Sequence, residues 1–279
     1  MIGFHEKGHR YESISEDLQG VEWISATGFV GRFETPFDKN GVADKVSKKK
    51  GSKWYGMPPW RIVELWDAEN QRSTDIGSML HAHLERKYLS METMPLFGKE
   101  LKVNPPWYDD LGRKIDMLPQ MSEGVYPEKL LFKRISETLG VCGQSDVVAI
   151  CDGKAHISDH KTNKEIKTEN HWSKLLPPYS HLDDCEYSKY NLQLSLYMWI
   201  VLQNNPELEP GEMLIRHNLF EIEAVDDYGF PVVAIRGGVP VVREVVKYRM
   251  KYLREEIESG IEWIVRNHNR KQAALKVNP

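Results

Sequence analysis

The order of patterned segments predicts an α/β fold with a central mixed β-sheet flanked by helices. Three observations carry it. Residues 60–89, WRIVELWDAENQRSTDIGSMLHAHLERKYL, read as helical. Three successive strand-like runs follow: EKLLFKRI (128–135), LGVCGQSDVVAI (139–150) and KAHISDHKT (154–162). A second helical stretch, CEYSKYNLQLSLYMWIVLQNN (185–205), then leads into a further strand region. Helix, three strands, helix, strand, helix is the order expected of a mixed sheet with helices packed on it.

Each element has its own reason. Residues 1–37 read as short β or extended pieces, because HRYES and GVEWISATGFVGRF are rich in aromatic and β-branched residues. Residues 41–56, GVADKVSKKKGSKWYG, are basic and end on Trp54 and Tyr55. Pro58 and Pro59 break the chain before the first long helix. Residues 92–120 hold several prolines and glycines and read as irregular linkage with a short helix. Residues 164–184 form a polar loop carrying Trp172 and Tyr179. The helix over 185–205 stops before Pro206, as the steric restriction on the residue before proline requires. EMLIRHNLFEIEAV (212–225) is a strand region, and residues 242–270 read as one long amphipathic helix. The expected organisation is a single domain over 1–279, with an N-terminal extension (1–70), a core (73–225) and a C-terminal helix (240–270). It has no internal repeat.

Composition excludes several classes. Hydrophobic residues at 41% supply a core, and no apolar run approaches the roughly 18 residues of a membrane helix. The N-terminal MIGFHEKGHRY has no apolar segment of the kind that marks secretion. Three widely spaced cysteines, Cys142, Cys151 and Cys185, predict a reducing, cytoplasmic setting without a disulfide framework or a structural zinc site. A net charge of −4 argues against a protein that merely coats nucleic acid, but not against an enzyme acting on it.

The chemistry is concentrated in ISDHKT (157–162). Asp152-Gly153 is a two-residue hairpin signal, since a type I′ turn needs positive φ at both positions. On that register Cys151 faces Lys154, Ile150 faces Ala155 and Val148 faces Ile157, so Asp146 falls opposite Asp159. Opposed side chains in a hairpin lie about 5 Å apart at Cβ, and two carboxylates there repel each other. A divalent cation would resolve the repulsion. Lys161 points the same way as Asp159, and the backbone carbonyl of His160 offers a further oxygen. An all-oxygen set suits Mg²⁺ or Mn²⁺, either of which polarises a phosphoryl oxygen and activates water, with the lysine orienting that water or stabilising the pentavalent charge. A change of one residue in turn length would put the acids on opposite faces.

Four motifs in order resemble the PD-(D/E)XK nuclease superfamily, in particular its RecB-like exonuclease branch. GQSD ends in Asp146 and is similar to the G-x-x-D strand motif. SDHK, with Asp159 and Lys161, is similar to the D-x-K motif. GSMLHAHLE, with Gly77, His81 and Glu85, resembles the upstream helix motif carrying a metal-binding histidine. QLSLY, with Gln193 and Tyr197, resembles the Q-x-x-x-Y helix that follows the core. The likeness spans roughly residues 73–200. Two departures stand out: Ser145 occupies a position that is often proline, and three cysteines are too few for the four-cysteine iron–sulfur cluster of some relatives. No Walker A stretch is present.

The resemblance implies a restriction-endonuclease-like core with N- and C-terminal additions, and a catalytic set of Asp146, Asp159, Lys161, Glu128, Gln193 and Tyr197. It also implies a metal set of His81, Asp146, Asp159 and the His160 carbonyl, holding one or two Mg²⁺ or Mn²⁺ ions. Glu85 would fix the His81 ring or be plain helix surface, and Glu128 would approach the metal or sit exposed at a strand edge. Gln193 and Tyr197 share one helix face, where the alternatives to function are solvent and packing. Lys49, Lys50, Lys53 and Lys164 would contact phosphates, with Trp54 and Tyr55 stacking a base, or else form an ordinary solvated face. The expected activity is metal-dependent exonucleolysis of linear DNA in recombination, repair or viral DNA processing. The alternatives are an endonuclease on the same core, a non-catalytic nucleic-acid-binding module, and a sugar-cleaving hydrolase using the two acids. DNA is the expected partner, with no membrane. A homo-oligomer, and a recombination or single-strand-binding partner protein, are compatible with it.

Overall fold

The computed structural model describes residues 1–5, 8, 10–116 and 119–277, with side chains through residue 270. The chain opens with two strands, β1 (Ile2–His5) and β2 (Arg10–Ser13), then β3 (Glu22–Ser25). Two helices follow, α1 (Ala26–Gly31) and α2 (Lys39–Lys48). Residues 1–37 are therefore not all extended. Ser25 ends β3 and caps α1, its hydroxyl accepting from the Gly28 N–H at 3.0 Å. The long helix α3 (Pro59–Leu89) places a proline in its first turn, where a missing N–H costs nothing.

Residues 92–120 correct the expectation of a short helix. Their described part folds as β4 (Thr93–Leu96), β5 (Lys99–Lys102), β6 (Trp107–Tyr108) and β7 (Lys114–Asp116). Next come β8 (Gly124–Arg134), β9 (Leu139–Cys151), β10 (Lys154–Lys161), α4 (Glu186–Asn204) and β11 (Glu209–Phe220). A 20-odd-residue excursion then forms two small ladders, β12 (Ile222–Val225) with β13 (Pro231–Val233), and β14 (Ile235–Arg236) with β15 (Val239–Pro240).

The end of the chain also departs from expectation. Residues 242–270 are not one helix: β16 (Val242–Met250) precedes α5 (Arg254–Val277). Val246, Tyr248 and Met250 turn inward while Lys247 and Arg249 face solvent, a period of two that pairs along β11 from Met213 to Phe220.

The main sheet is mixed, in the order β16-β11-β10-β9-β3, with β8 on the other edge of β9. β10 and β11 are parallel, as are β3 and β9; the other pairs are antiparallel. α4 lies on one face and is buried continuously from Asn191 to Val201, with α1 and α5 packed beside it. A helix buried on all sides belongs in such a central position, and its few polar residues there include Asn191, Gln193 and Ser195. The opposite face buries Val125, Val147, Ala149 and Cys151 under Met94 and Leu101 of the β4–β5 hairpin, with Tyr88 of α3 alongside. A second sheet, β2-β1-β7-β6, stands apart from the first. The region assigned to an N-terminal extension thus supplies β3 to the main sheet and α1 to its helical face. No helix among the described residues is long and apolar enough to cross a membrane.

Candidate active site

The hairpin at Asp152-Gly153 has φ of 52° and 70°, the left-handed pair a type I′ turn requires. The ladder runs from Lys154↔Cys151 to Ser158↔Val147, so Asp159 and Asp146 occupy the next row. On the other side, Pro127↔Val147 and Lys129↔Ser145 bracket Glu128 and Asp146. Three carboxylates, Glu128, Asp146 and Asp159, therefore lie in one row across three adjacent strands. At Glu128 the backbone turns to φ 51°, a conformation that carries strain in a residue with a side chain.

The row sits at a break in the sheet. Along one edge of β9, β3 pairs with residues 139–142 and β10 with residues 147–151. Residues 143–146, GQSD, fall between them. In that gap the Asp146 carboxylate does what a neighbouring strand would do: its Oδ2 accepts from the His160 N–H at 2.6 Å. In extended backbone the N–H and C=O of one residue point to the same side, so the His160 carbonyl is directed towards Asp146 as well.

One face of α3 reads out this row turn by turn, at the i, i+4 spacing that aligns side chains. Gly77 lies against the end of β10, where a Cβ would come within 2.9 Å of Thr162 Oγ1. His81 Nδ1 is 3.4 Å from Asp146 Oδ1. Glu85 does not fix the His81 ring; its Oε1 is 2.8 Å from Lys114 Nζ, which in turn is 3.5 Å from Glu128 Oε2. Tyr88 Oη is 2.9 Å from Nε2 of His160, whose Nδ1 lies 3.2 Å from Asn218 Nδ2.

From the other side, α4 supplies the floor. Gln193 Nε2 donates to Tyr197 Oη at 3.1 Å, and both residues are buried. Tyr197 packs on Gly143, where a Cβ would sit 2.4 Å from its Cε1. Lys161 Nζ is 2.6 Å from Asp159 Oδ2, an ionic contact outside hydrogen-bond geometry, and 4.8 Å from the centre of the Tyr190 ring. His81, Glu128, Asp146, Asp159, Lys161, Gln193 and Tyr197 line one cavity of about 600 Å³, and Phe4 and Tyr11 of the small sheet also contribute to its wall.

The electrostatics follow from packing like charges in a dry place. Burial and the Asp146 charge push Glu128 up to about 7, against the pull of Lys114. Burial pushes Asp159 up to about 6, with Lys161 opposing and Asp146 adding. Burial also pushes Asp146 up, but the hydrogen bond and charge of His81 and the His160 N–H outweigh it and leave the carboxyl below its ordinary value. Burial pulls His81 down, but Asp146, backed by Asp159 and Glu128, raises it to about 9. Burial takes His160 down to about 4, so its ring is neutral. For Lys161, burial pulls down and Asp159 more than compensates, leaving a firm ammonium.

The donor set fits a divalent cation. His81, Glu128 and Asp146 each bring a ligand atom to within 4.8 Å of the others. One imidazole and two carboxylates suit Mn²⁺ or Mg²⁺, and a cation would offset both the burial and the neighbouring Asp146 charge that raise Glu128 and Asp159. Glu128, expected either near the metal or at an exposed edge, is buried within this set.

The structure does not bear out a base-stacking role for Trp54. The side chain is buried with Ala43 and Ile62, near Trp66 and Phe230. Lys53 lies over the Trp54 and Phe230 rings at 4.5 Å and donates to the Tyr228 carbonyl at 2.6 Å, so it locks a turn. Lys49, Lys50, Tyr55 and Lys164 are exposed. The residues that sequence reasoning missed are Lys114, Gln144, Tyr88 and Tyr190. Gln144 is the Q of GQSD and its amide contacts the Glu128 carboxylate. Tyr88 stands seven residues after His81 on α3, a spacing that would have found it. Lys114 comes from the second sheet, and no local pattern announces it.

No family model matches this sequence, and no curated protein matches it. Among solved structures the chain is similar to "Crystal structure of SSO0001", at 11% identity and a TM-score of 0.34, over 86% of this chain and 69% of that one. A likeness at that level carries no argument about function.

Proposed function

We propose that this protein is a metal-dependent deoxyribonuclease that hydrolyses phosphodiester bonds in linear DNA, with the RecB-like residue set described above. The observation that carries the reading is the single cavity in which Glu128, Asp146 and Asp159 stand in one row beside Lys161, with His81 facing them. A degenerate binding module has no use for three buried carboxylates held so close, and a sugar-cleaving pair needs no lysine beside its acids.

His81, Glu128 and Asp146 would hold Mg²⁺ or Mn²⁺, with Asp159 and the His160 carbonyl facing the same place. A cation bound there supplies Lewis-acid polarisation of the phosphate and a lowered pKa for water. The chain's own groups do the rest. Asp159 holds the Lys161 ammonium at 2.6 Å, charged and aimed into the cavity, where it donates to a non-bridging phosphate oxygen and stabilises the charge that builds there. Asp146 is held in place by the His160 N–H. Lys114 balances Glu85 and Glu128, so that Glu128 is anchored before substrate arrives. Gln193 and Tyr197 floor the cavity and exclude bulk water. The setting we infer is intracellular DNA recombination, repair or viral DNA processing.

The test is degradation of end-labelled linear DNA beside covalently closed circular DNA, in Mg²⁺, Mn²⁺ or EDTA, with wild type and Asp159→Ala. Metal-dependent loss of linear DNA alone, absent in the variant, is the expected result. Cutting of circles would replace the exonuclease by an endonuclease. No cleavage with any metal would remove the catalytic reading.

A further inference from the structure

The excursion between β11 and β16 folds back over α3. Asp226 Oδ2 is 3.4 Å from Arg72 Nη1, and the Tyr228 carbonyl takes the Lys53 ammonium. Under this flap, between α3 and the end of β10, lies a second cavity of about 220 Å³. Phe220, Ile222 and Pro231 are among its apolar walls, while Arg72, Lys164 and Arg243 bring positive charge to it. The acid in the lining, Glu69, is already paired with Arg72. Lys164 and Arg243 have no ion-pair partner among the described residues. An apolar wall with two uncompensated cations matches a nucleotide, whose base is flat and apolar and whose phosphate is charged.

Position sharpens the match. The two cavities share Ser73 and Thr162, so they lie side by side along α3. Asn163, in the second cavity, accepts from the Tyr190 hydroxyl at 2.6 Å, and the Tyr190 ring lies beside the Lys161 ammonium of the first. A chain with one phosphate at Lys161 would reach the second cavity with its neighbouring nucleotide.

We propose that the cavity under the 221–241 flap binds the nucleotide adjacent to the scissile phosphodiester, with Lys164 and Arg243 on its phosphate and Phe220 against its base. The proposal rests on the nuclease reading for the word scissile, but the binding itself can be measured without cleavage. The probe is a short fluorescent single-stranded oligodeoxynucleotide, followed by anisotropy in EDTA. Wild type, Lys164→Ala, Arg243→Ala and the double variant are compared, with Lys154→Ala, at the far end of β10, as the control for lost surface charge. Each single variant is expected to weaken binding roughly tenfold, the worth of a charge-assisted hydrogen bond. The slope of log affinity against log salt should fall by about 0.7 per cation removed. Unchanged affinity in the double variant, an equal loss in Lys154→Ala, or no binding by wild type would each overturn it. Metal-dependent nucleotide release by wild type, assayed in parallel, reports separately on the nuclease reading.

Discussion

Replacing Glu128 by glutamine separates what this residue does for stability from what it does for function. In the metal-free protein its carboxyl is displaced from an ordinary 4.5 to about 7, because it is buried next to Asp146. A raised acid favours folding only while protonated, so the penalty is absent below about pH 4.5, grows through the window up to about pH 7, and is complete above it. At about 1.4 kcal/mol per pH unit, the displacement amounts to ~3 kcal/mol at pH 8. Glutamine has the shape of the protonated acid and never ionises. Urea unfolding in EDTA should therefore find Glu128→Gln more stable than wild type by ~2–3 kcal/mol at pH 8, and equal to it near pH 4.5. Mn²⁺ should reverse the order by stabilising wild type more, since a ligand of the folded state adds stability that grows with the logarithm of its concentration over its dissociation constant. A variant less stable at pH 8, or a difference that ignores pH, would refute the assignment of Glu128 to a crowded carboxylate row.

Other consequences are as direct. Lys161→Ala should cut DNA hydrolysis by ~10²–10³-fold, the scale of one lost electrostatic contact to the transition state, while leaving DNA binding in EDTA within a few-fold; steady-state rates and anisotropy read the two. Gly143→Ala forces a methyl against Tyr197, 2.4 Å from its Cε1, and should cost ~1–3 kcal/mol in chemical denaturation. Trp54→Ala should cost ~3–5 kcal/mol of stability and leave salt-dependent DNA affinity unmoved, because the ring is core and not a stacking surface. Metal affinity should rise with pH, since His81 (about 9), Glu128 (about 7) and Asp159 (about 6) must shed protons to receive a cation, and calorimetry in buffers of different ionisation enthalpy should detect the release.

Much of this site was legible because its geometry is local. Asp152-Gly153 sets the hairpin register, and from that turn alone Asp146 and Asp159 share a row and Lys161 follows on the same face. Gly77, His81 and Tyr88 were within reach too, since helical spacing lines them up on α3. Glu128 was harder. Its place depends on the register set by the short connection between β8 and β9, which carries no Asn-Gly or Asp-Gly signal, and on a left-handed backbone that no pattern reveals. Lys114 was out of reach, because it arrives from a separate sheet.

The errors have the same origin. Residues 242–270 run together a strand and a helix without a glycine or proline between them, so the alternation at Val246, Tyr248 and Met250 passes without a break into the helical period that follows. Trp54 follows a lysine-rich stretch and reads as surface. Its burial is decided in part by Phe230, more than 170 residues away on the flap. Strand order, β3 included, likewise depends on contacts that local patterning does not encode.

The most direct test of the central claim is Mn²⁺ binding followed by electron paramagnetic resonance, for wild type and Asp146→Asn. Asp146 touches His81, accepts the His160 N–H and stands between Glu128 and Asp159. Saturable Mn²⁺ binding by wild type, lost in the variant while its fold persists by circular dichroism, is the result predicted. Equal binding by both proteins, or none by wild type, would contradict a metal centre at this row.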